Sequence, residues 1–175
     1  MLDMFFRRGN VSNNWTRKPG LTLAMDLSTP SINSIPIEST VDQFSFLGRS
    51  TSKSTSPLDF ADLGISLDNE DDGTVSGFHI WFNDRDNKFS PYNGTIQLTG
   101  TAIEPSSIVN RLGEPYWRDE DEYEILYFYE FATHEIQVEH SLEGTIQSVI
   151  VTNDALMADA EQRKAYGVTK AWPPS

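Results

Sequence analysis

The feature that most constrains this chain is a grammar used twice. Ile37-Glu38 followed by Phe44-Ser45-Phe46-Leu47-Gly48-Arg49 parallels Ile103-Glu104 followed by Val109-Asn110-Arg111-Leu112-Gly113-Glu114, with one gap allowed. Further on, Asp72-Gly73-Thr74-Val75-Ser76-Gly77-Phe78 parallels Glu143-Gly144-Thr145-Ile146-Gln147-Ser148-Val149. Leu112 lies 65 positions after Leu47 and Gly144 lies 71 after Gly73, a difference that falls in the loops. Each unit reads as helix, Leu-Gly, two strands, acidic-Gly-Thr turn, strand. Two markers in the same order at similar spacing argue for internal duplication. The expected fold is α+β. Two repeated helix-plus-antiparallel-strand units form one continuous sheet with short helices on one face, and a C-terminal helix closes the chain.

Local signals fill in this frame. Residues 1–20 are polar and broken by Gly9, Pro19 and Gly20, which predicts an N-terminal arm with Trp15 as its pin. In Leu21–Leu27 the apolar residues Leu21, Leu23, Met25 and Leu27 recur at period two, a strand pattern. Thr40 and Gln43 form a capping-box signature for a short helix burying Val41, Phe44 and Leu47, with Gly48 as its stop. Val75 to Phe82 carries apolar groups on both faces, as a central strand would. Pro105 opens and Gly113 closes the second helix, and Trp117 to Glu124 reads as an acidic loop. Asp154 is the expected cap of a last helix running to Tyr166, with Gly167 as its stop. The units are thus an arm over 1–20, a first repeat over 21–100, a second over 101–152, and a helix and tail over 153–175, all in a single compact domain.

The charge narrows the partners. Thirteen basic against 26 acidic residues leave a net charge of −13, which opposes nucleic acid and anionic membrane and favours a basic protein. No apolar run is long enough to span a membrane, and the basic pair Arg7-Arg8 follows the first apolar residues instead of preceding them. With no cysteine there is no disulfide framework, thiolate site or cysteine nucleophile. A cytoplasmic protein is expected.

Sites that could carry chemistry are few. His134 and His140 stand six apart, not four, so they do not form the helical zinc motif. On a strand they share a face with Ile136 and Val138, while Glu135, Gln137 and Glu139 share the other. Asp68, Glu70, Asp72 and Gly73 match the first half of a calcium loop, but its last ligand position holds His79. No phosphate loop, dinucleotide fingerprint or nucleophile elbow occurs, so no cofactor, metal or catalytic residue is assigned. The candidate binding residues are the run Trp117, Asp119, Glu120, Asp121, Glu122 and Tyr123, together with Trp81. Carboxylates there would steer a basic partner, and exposed rings would anchor it.

The residues Leu112, Gly113, Pro115, Gly144 and Ile146 carry a resemblance. A short helix ending in Leu-Gly-x-Pro, then strands, then Gly-Thr-Ile-x-x-Val-Ile resembles the unit of β-lactamase inhibitory proteins. It is also similar to small lipoproteins of the outer-membrane assembly machinery and to small acidic bacterial proteins, some of them immunity proteins. The resemblance implies tandem helix-plus-sheet units whose concave sheet grips another protein. It carries no lipoprotein cysteine and no inhibitor disulfides here. The expected function is therefore a non-catalytic bacterial protein-binding module, inhibitor or immunity in type. The alternative is a small-ligand binder or enzyme with His79 or His134 beside a carboxylate in the sheet concavity.

Overall fold

The computed structural model describes residues 10–84 and 86–174. Residues 1–9 of the expected arm, and with them Arg7 and Arg8, lie outside the described residues, as do Arg85 and Ser175. The fold is mixed α+β, mostly sheet, with short helices and one near the C-terminus. Among the described residues twelve strands occur: β1 (Ala24–Asp26), β2 (Ser31–Ile32), β3 (Ile35–Pro36), β4 (Leu58–Phe60), β5 (Ile65–Asn69), β6 (Val75–Trp81), β7 (Thr95–Leu98), β8 (Thr101–Ile103), β9 (Trp117–Glu120), β10 (Glu124–Glu130), β11 (Glu135–Ser141) and β12 (Ile146–Thr152).

Strands of both halves join in one seven-stranded sheet, ordered β4-β5-β6-β12-β11-β10-β9 and antiparallel throughout. The expectation of a single continuous sheet needs correction. The remaining strands form a separate five-stranded sheet, β3-β2-β1-β7-β8, in which β1 and β7 run parallel. The reason is legible in burial. Met25, Ile32 and Ile96 of the smaller sheet, with Leu23 and Leu27 flanking β1, are 0–5% exposed and belong to one core with Phe60, Leu67, Phe78, Ile80, Val138 and Val149 of the larger. A second layer covers the apolar face that one sheet alone would leave wet.

The helices are shorter and tighter than the sequence suggests. Val41–Leu47 is a 3-10 helix, and Thr40 precedes it without a side-chain cap bond, so the capping box does not form. Its apolar residues still fall where the pattern put them, with Val41, Phe44 and Leu47 buried. Pro105–Ser107 is a 3-10 turn that runs into helix α1 (Ile108–Leu112), and Gly48 and Gly113 end their helices at φ of 86° and 84°. The last helix is not capped by Asp154. A 3-10 turn, Leu156–Ala158, comes first, and Asp159 caps α2 (Ala160–Ala165) by accepting from the Glu161 amide at 2.8 Å. Trp15 stacks on Phe60 at a centroid distance of 6.4 Å, which holds the described part of the arm to the body. Among the described residues no helix is long and apolar enough to cross a membrane.

One glycine fixes how the loop after β6 closes. Gly64 has φ of +69°, and a Cβ there would stand 2.4 Å from the Ser90 carbonyl and 2.7 Å from the Tyr92 amide. Gly100 has φ of +73° but open space around it. Gly64→Ala is expected to lose about 2–4 kcal/mol, combining left-handed strain with a backbone clash, and Gly100→Ala only about 1 kcal/mol. Urea unfolding of the two variants compares them directly. Equal losses would show that crowding at Gly64 is relieved by movement of the Ser90–Tyr92 segment.

Candidate functional site: the outer face of the larger sheet

Alternation along each strand divides the seven-stranded sheet into two unlike faces. The inner face carries Leu58, Phe60, Ile65, Leu67, Phe78, Ile80, Ile136, Val138, Val149 and Val151, each 0% exposed. Register places the outer face in cross-strand rows. One row runs Asp59, Ser66, His79, Ile150, Gln137, Phe128, Trp117. The next runs Trp81, Ser148, Glu139, Leu126, Asp119, and a third Asp68, Gly77, Thr152, Glu135, Glu130. No lysine or arginine stands in these rows. The charged residues of these rows are all carboxylates.

At its first end is an aromatic stack. Trp81 lies between His79, at 3.8 Å between ring centroids, and Phe89, at 5.0 Å. Burial pushes the His79 imidazole down to about 4, only partly offset by the Asp84 carboxylate. Asp84 itself is occupied, accepting from the backbone amides of Asp86, Lys88 and Phe89 at 2.7–3.0 Å. His79 Nε2 and Trp81 Nε1 are buried without a partner. Ser148 Oγ donates to Glu139 Oε2 at 2.8 Å beside them, and burial together with Asp59 and Glu70 raises the Asp68 carboxyl.

At the other end two carboxyl groups meet in the dry interior. Glu130 and Glu135 are register partners at the base of the β10–β11 hairpin and are 6% and 0% exposed. Trp172 Nε1 donates to Glu130 Oε2 at 2.8 Å, and the Gln137 amide donates to Glu135 Oε1. The second oxygens, Glu130 Oε1 and Glu135 Oε2, are buried with no donor. Burial pushes Glu135 up to about 8; the neighbouring Glu130 carboxyl adds to the shift, and the Gln137 and Met157 amides oppose it. A proton on Glu135 avoids the cost of setting a second buried charge beside the Glu130 carboxyl. A small second core, Tyr116, Met157 and Val168 with Trp117, Leu156 and Trp172 around it, brings the C-terminal segment onto this end.

The candidate residues distribute as follows. Trp117–Glu120 is not loop but β9, the edge strand, because it pairs with Ile125–Phe128 of β10. Trp117 is half-buried in the second core with its indole nitrogen unpartnered. Asp119 belongs to the outer face, while exposed Arg118 pairs with Glu120 and lies 5.8 Å over the Tyr127 ring. Asp121 Oδ1 accepts from the Tyr123 and Glu124 amides and so shapes the turn. Glu122 is exposed, and Tyr123 is 63% exposed. Trp81 does not join this edge; it shares the face but sits four strand spacings, roughly 19 Å, away. The Glu130–Glu135 pair escaped the sequence reading. Assigning the short turn Phe131–His134 would have found it, because that turn alone sets the two glutamates opposite each other.

As pH falls from 6.5 towards 4 an unfolded chain protonates a histidine that folded His79 keeps neutral, so stability drops across that window. His79→Phe is expected to flatten this loss by up to about 1.4 kcal/mol per pH unit. Thermal melts at pH 6.5, 5.5 and 4.5 read the effect; parallel wild-type and variant curves would assign the acid sensitivity elsewhere.

No family model and no curated protein sequence matches this chain. Among solved structures it is similar to a DUF4309 family protein (YjgB) from Bacillus subtilis, at 14% identity and a TM-score of 0.47, over 69% of this chain and 82% of that one.

Proposed function

We propose that this chain is a non-catalytic, cytoplasmic binding protein of inhibitor or immunity type that presents its acidic sheet face and edge to a basic protein. The observation that carries the reading is the composition of the accessible part of the outer face: Asp59, Asp68, Asp119, Glu124 and Glu139 lie on it by register, with no lysine or arginine in the rows. At the edge, strand β9 and its turn add the exposed Glu122 and Tyr123, and Glu120 beside Arg118. Such a field steers a cationic surface and offers arginine its preferred carboxylate geometry. An edge strand also offers backbone groups to an added strand.

The rival acid–base reading has less support. Among the described residues, no carboxylate hydrogen-bonds any of the three histidines. His134 meets Thr133 Oγ1, His140 meets the Gly144 carbonyl, and the Asp84 carboxylate near His79 is taken up by backbone amides.

The same proposal includes internal duplication. Its support is a set of local coincidences at the 71-position spacing. The amide of Glu70 bonds the Thr74 carbonyl at 2.8 Å and that of Gly73 bonds Glu70 at 2.9 Å; Ser141 to Thr145 and Gly144 to Ser141 repeat both distances. Register shifts fall at Asp68/Asn69 and at Glu139/His140. His79 pairs with Ile150, its own counterpart at that spacing, as a twofold relation between β6 and β12 requires.

Capture from a lysate of the source organism, run in parallel with wild type and with Glu120→Lys/Glu122→Lys, tests the binding reading. Wild type is expected to retain a basic protein that elutes with salt. The variant should retain at least tenfold less of it, about 1.4 kcal/mol, while melting within about 0.5 kcal/mol of wild type. Equal retention by both proteins would sink the assignment of this edge.

A further inference from the structure

We propose that the C-terminal segment from Leu156 to Trp172 is a proton-dependent latch: it stays docked on the outer face while Glu130 and Glu135 hold one proton between them, and lifts off when that proton leaves. The geometry is specific. Trp172 closes over the pair and spends its indole N–H on Glu130 Oε2. Met157, 0% exposed, seals the same end from the start of the segment, and Val168, 9% exposed, joins it through the second core. The two glutamates face each other from β10 and β11, whose backbones are held by seven consecutive register pairs, and their side chains are packed beneath the C-terminal segment. What can move is the cover.

The surroundings leave the pair little help in carrying a second negative charge. Arg163 donates to the Met157 and Ala158 carbonyls, and Lys170 donates to the Tyr116 carbonyl; both cations are engaged with backbone. Tyr116 lies close enough to feel the charges of Arg163 and Glu130 but gives its own hydroxyl proton to the Lys170 carbonyl at 3.0 Å. From β12 the partner of Glu135 is Thr152, which is uncharged, and from β11 Gln137 already donates to the other oxygen. His134, next in sequence, sits buried, with its imidazole held below its ordinary range by that burial. Losing the proton therefore leaves two carboxylates together in a dry site, and the least costly relief is to admit water by releasing Trp172.

The direction follows from linkage. Glu135 rises from 4.5 to about 8 in the docked state, so docking is most favoured at low pH and loses support as pH climbs to about 8. Across that window the lifted population is expected to grow by up to about tenfold per pH unit. The latch requires no partner and stands or falls independently of the binding reading.

Amide hydrogen exchange on the full chain at pH 6 and pH 9, corrected for intrinsic rates, reads it. Wild type should lose protection at pH 9 in residues 157–168, including the bonded amides of Tyr166, Gly167 and Val168, while β6 and β12 stay protected. Glu135→Gln and, separately, Glu130→Gln replace one carboxyl with a neutral amide and should keep the segment equally protected at both pH values. Trp172→Phe should open it at pH 6 already. A wild-type segment protected equally at pH 6 and 9 overturns the proposal. So does alkaline opening that persists in both glutamine variants, and so does loss of protection spread evenly over segment and core, which would make the pair a determinant of global stability instead.

Discussion

The antiparallel contact between β6 and β12 is the constraint on which everything else rests. It joins residues 77–81 to residues 148–152, so a loop of roughly seventy residues must close before it forms, an entropic cost that only extensive burial offsets. Phe78, Ile80, Val149 and Val151 supply that burial, each at 0% exposure, and they lie on the face the five-stranded sheet covers. Once this pair is in place, each flanking strand adds by a local hairpin, β5 and β4 on one side and β11, β10 and β9 on the other. Short-range steps thus extend one long-range decision.

The two faces that result obey opposite physics. The inner face is fixed by area removed from water. The outer face collects carboxyls, and the molecule manages their repulsion differently along its length. Where water reaches, Asp59 and Glu139 accept from serine hydroxyls across the strands. Where the C-terminal segment excludes water, burial raises Glu135 and favours its protonated form. The same acidity is thus an electrostatic surface at one end and a protonation site at the other.

How much of this the sequence disclosed depended on the range of the signal. Short-range signals translated well: the Leu23, Met25, Leu27 alternation, the helix ends at Gly48, Gly113 and Gly167, and the face assignment of His134 and His140 against Glu135, Gln137 and Glu139 all follow from local periodicity and backbone sterics. The acidic run from Trp117 misled, because charged residues depress strand propensity, whereas pairing with the aromatic β10 overrides it at a sheet edge. The division into two sheets was not legible, since period-two patterns state which face is apolar but not which layer covers it. Asp154 was the expected cap, and Asp159 is the cap that forms. Tertiary packing chose the later one by burying Met157 first.

The outer face also links charge to shape. A cationic group brought beside Glu130 and Glu135 favours their ionised form, so it acts on the shared proton in the same direction as a rise in pH. The histidine end responds oppositely. Burial disfavours charging of His79, and a nearby cation disfavours it further, so that end stays neutral while the carboxyl end changes state. The two ends lie on one rigid sheet and are joined by continuous rows of register. A basic surface settling on the acidic face would therefore meet a fixed aromatic stack at one end and a titratable cover at the other. The proposed latch lies at the second, where burial raises Glu135 and Trp172 covers the pair.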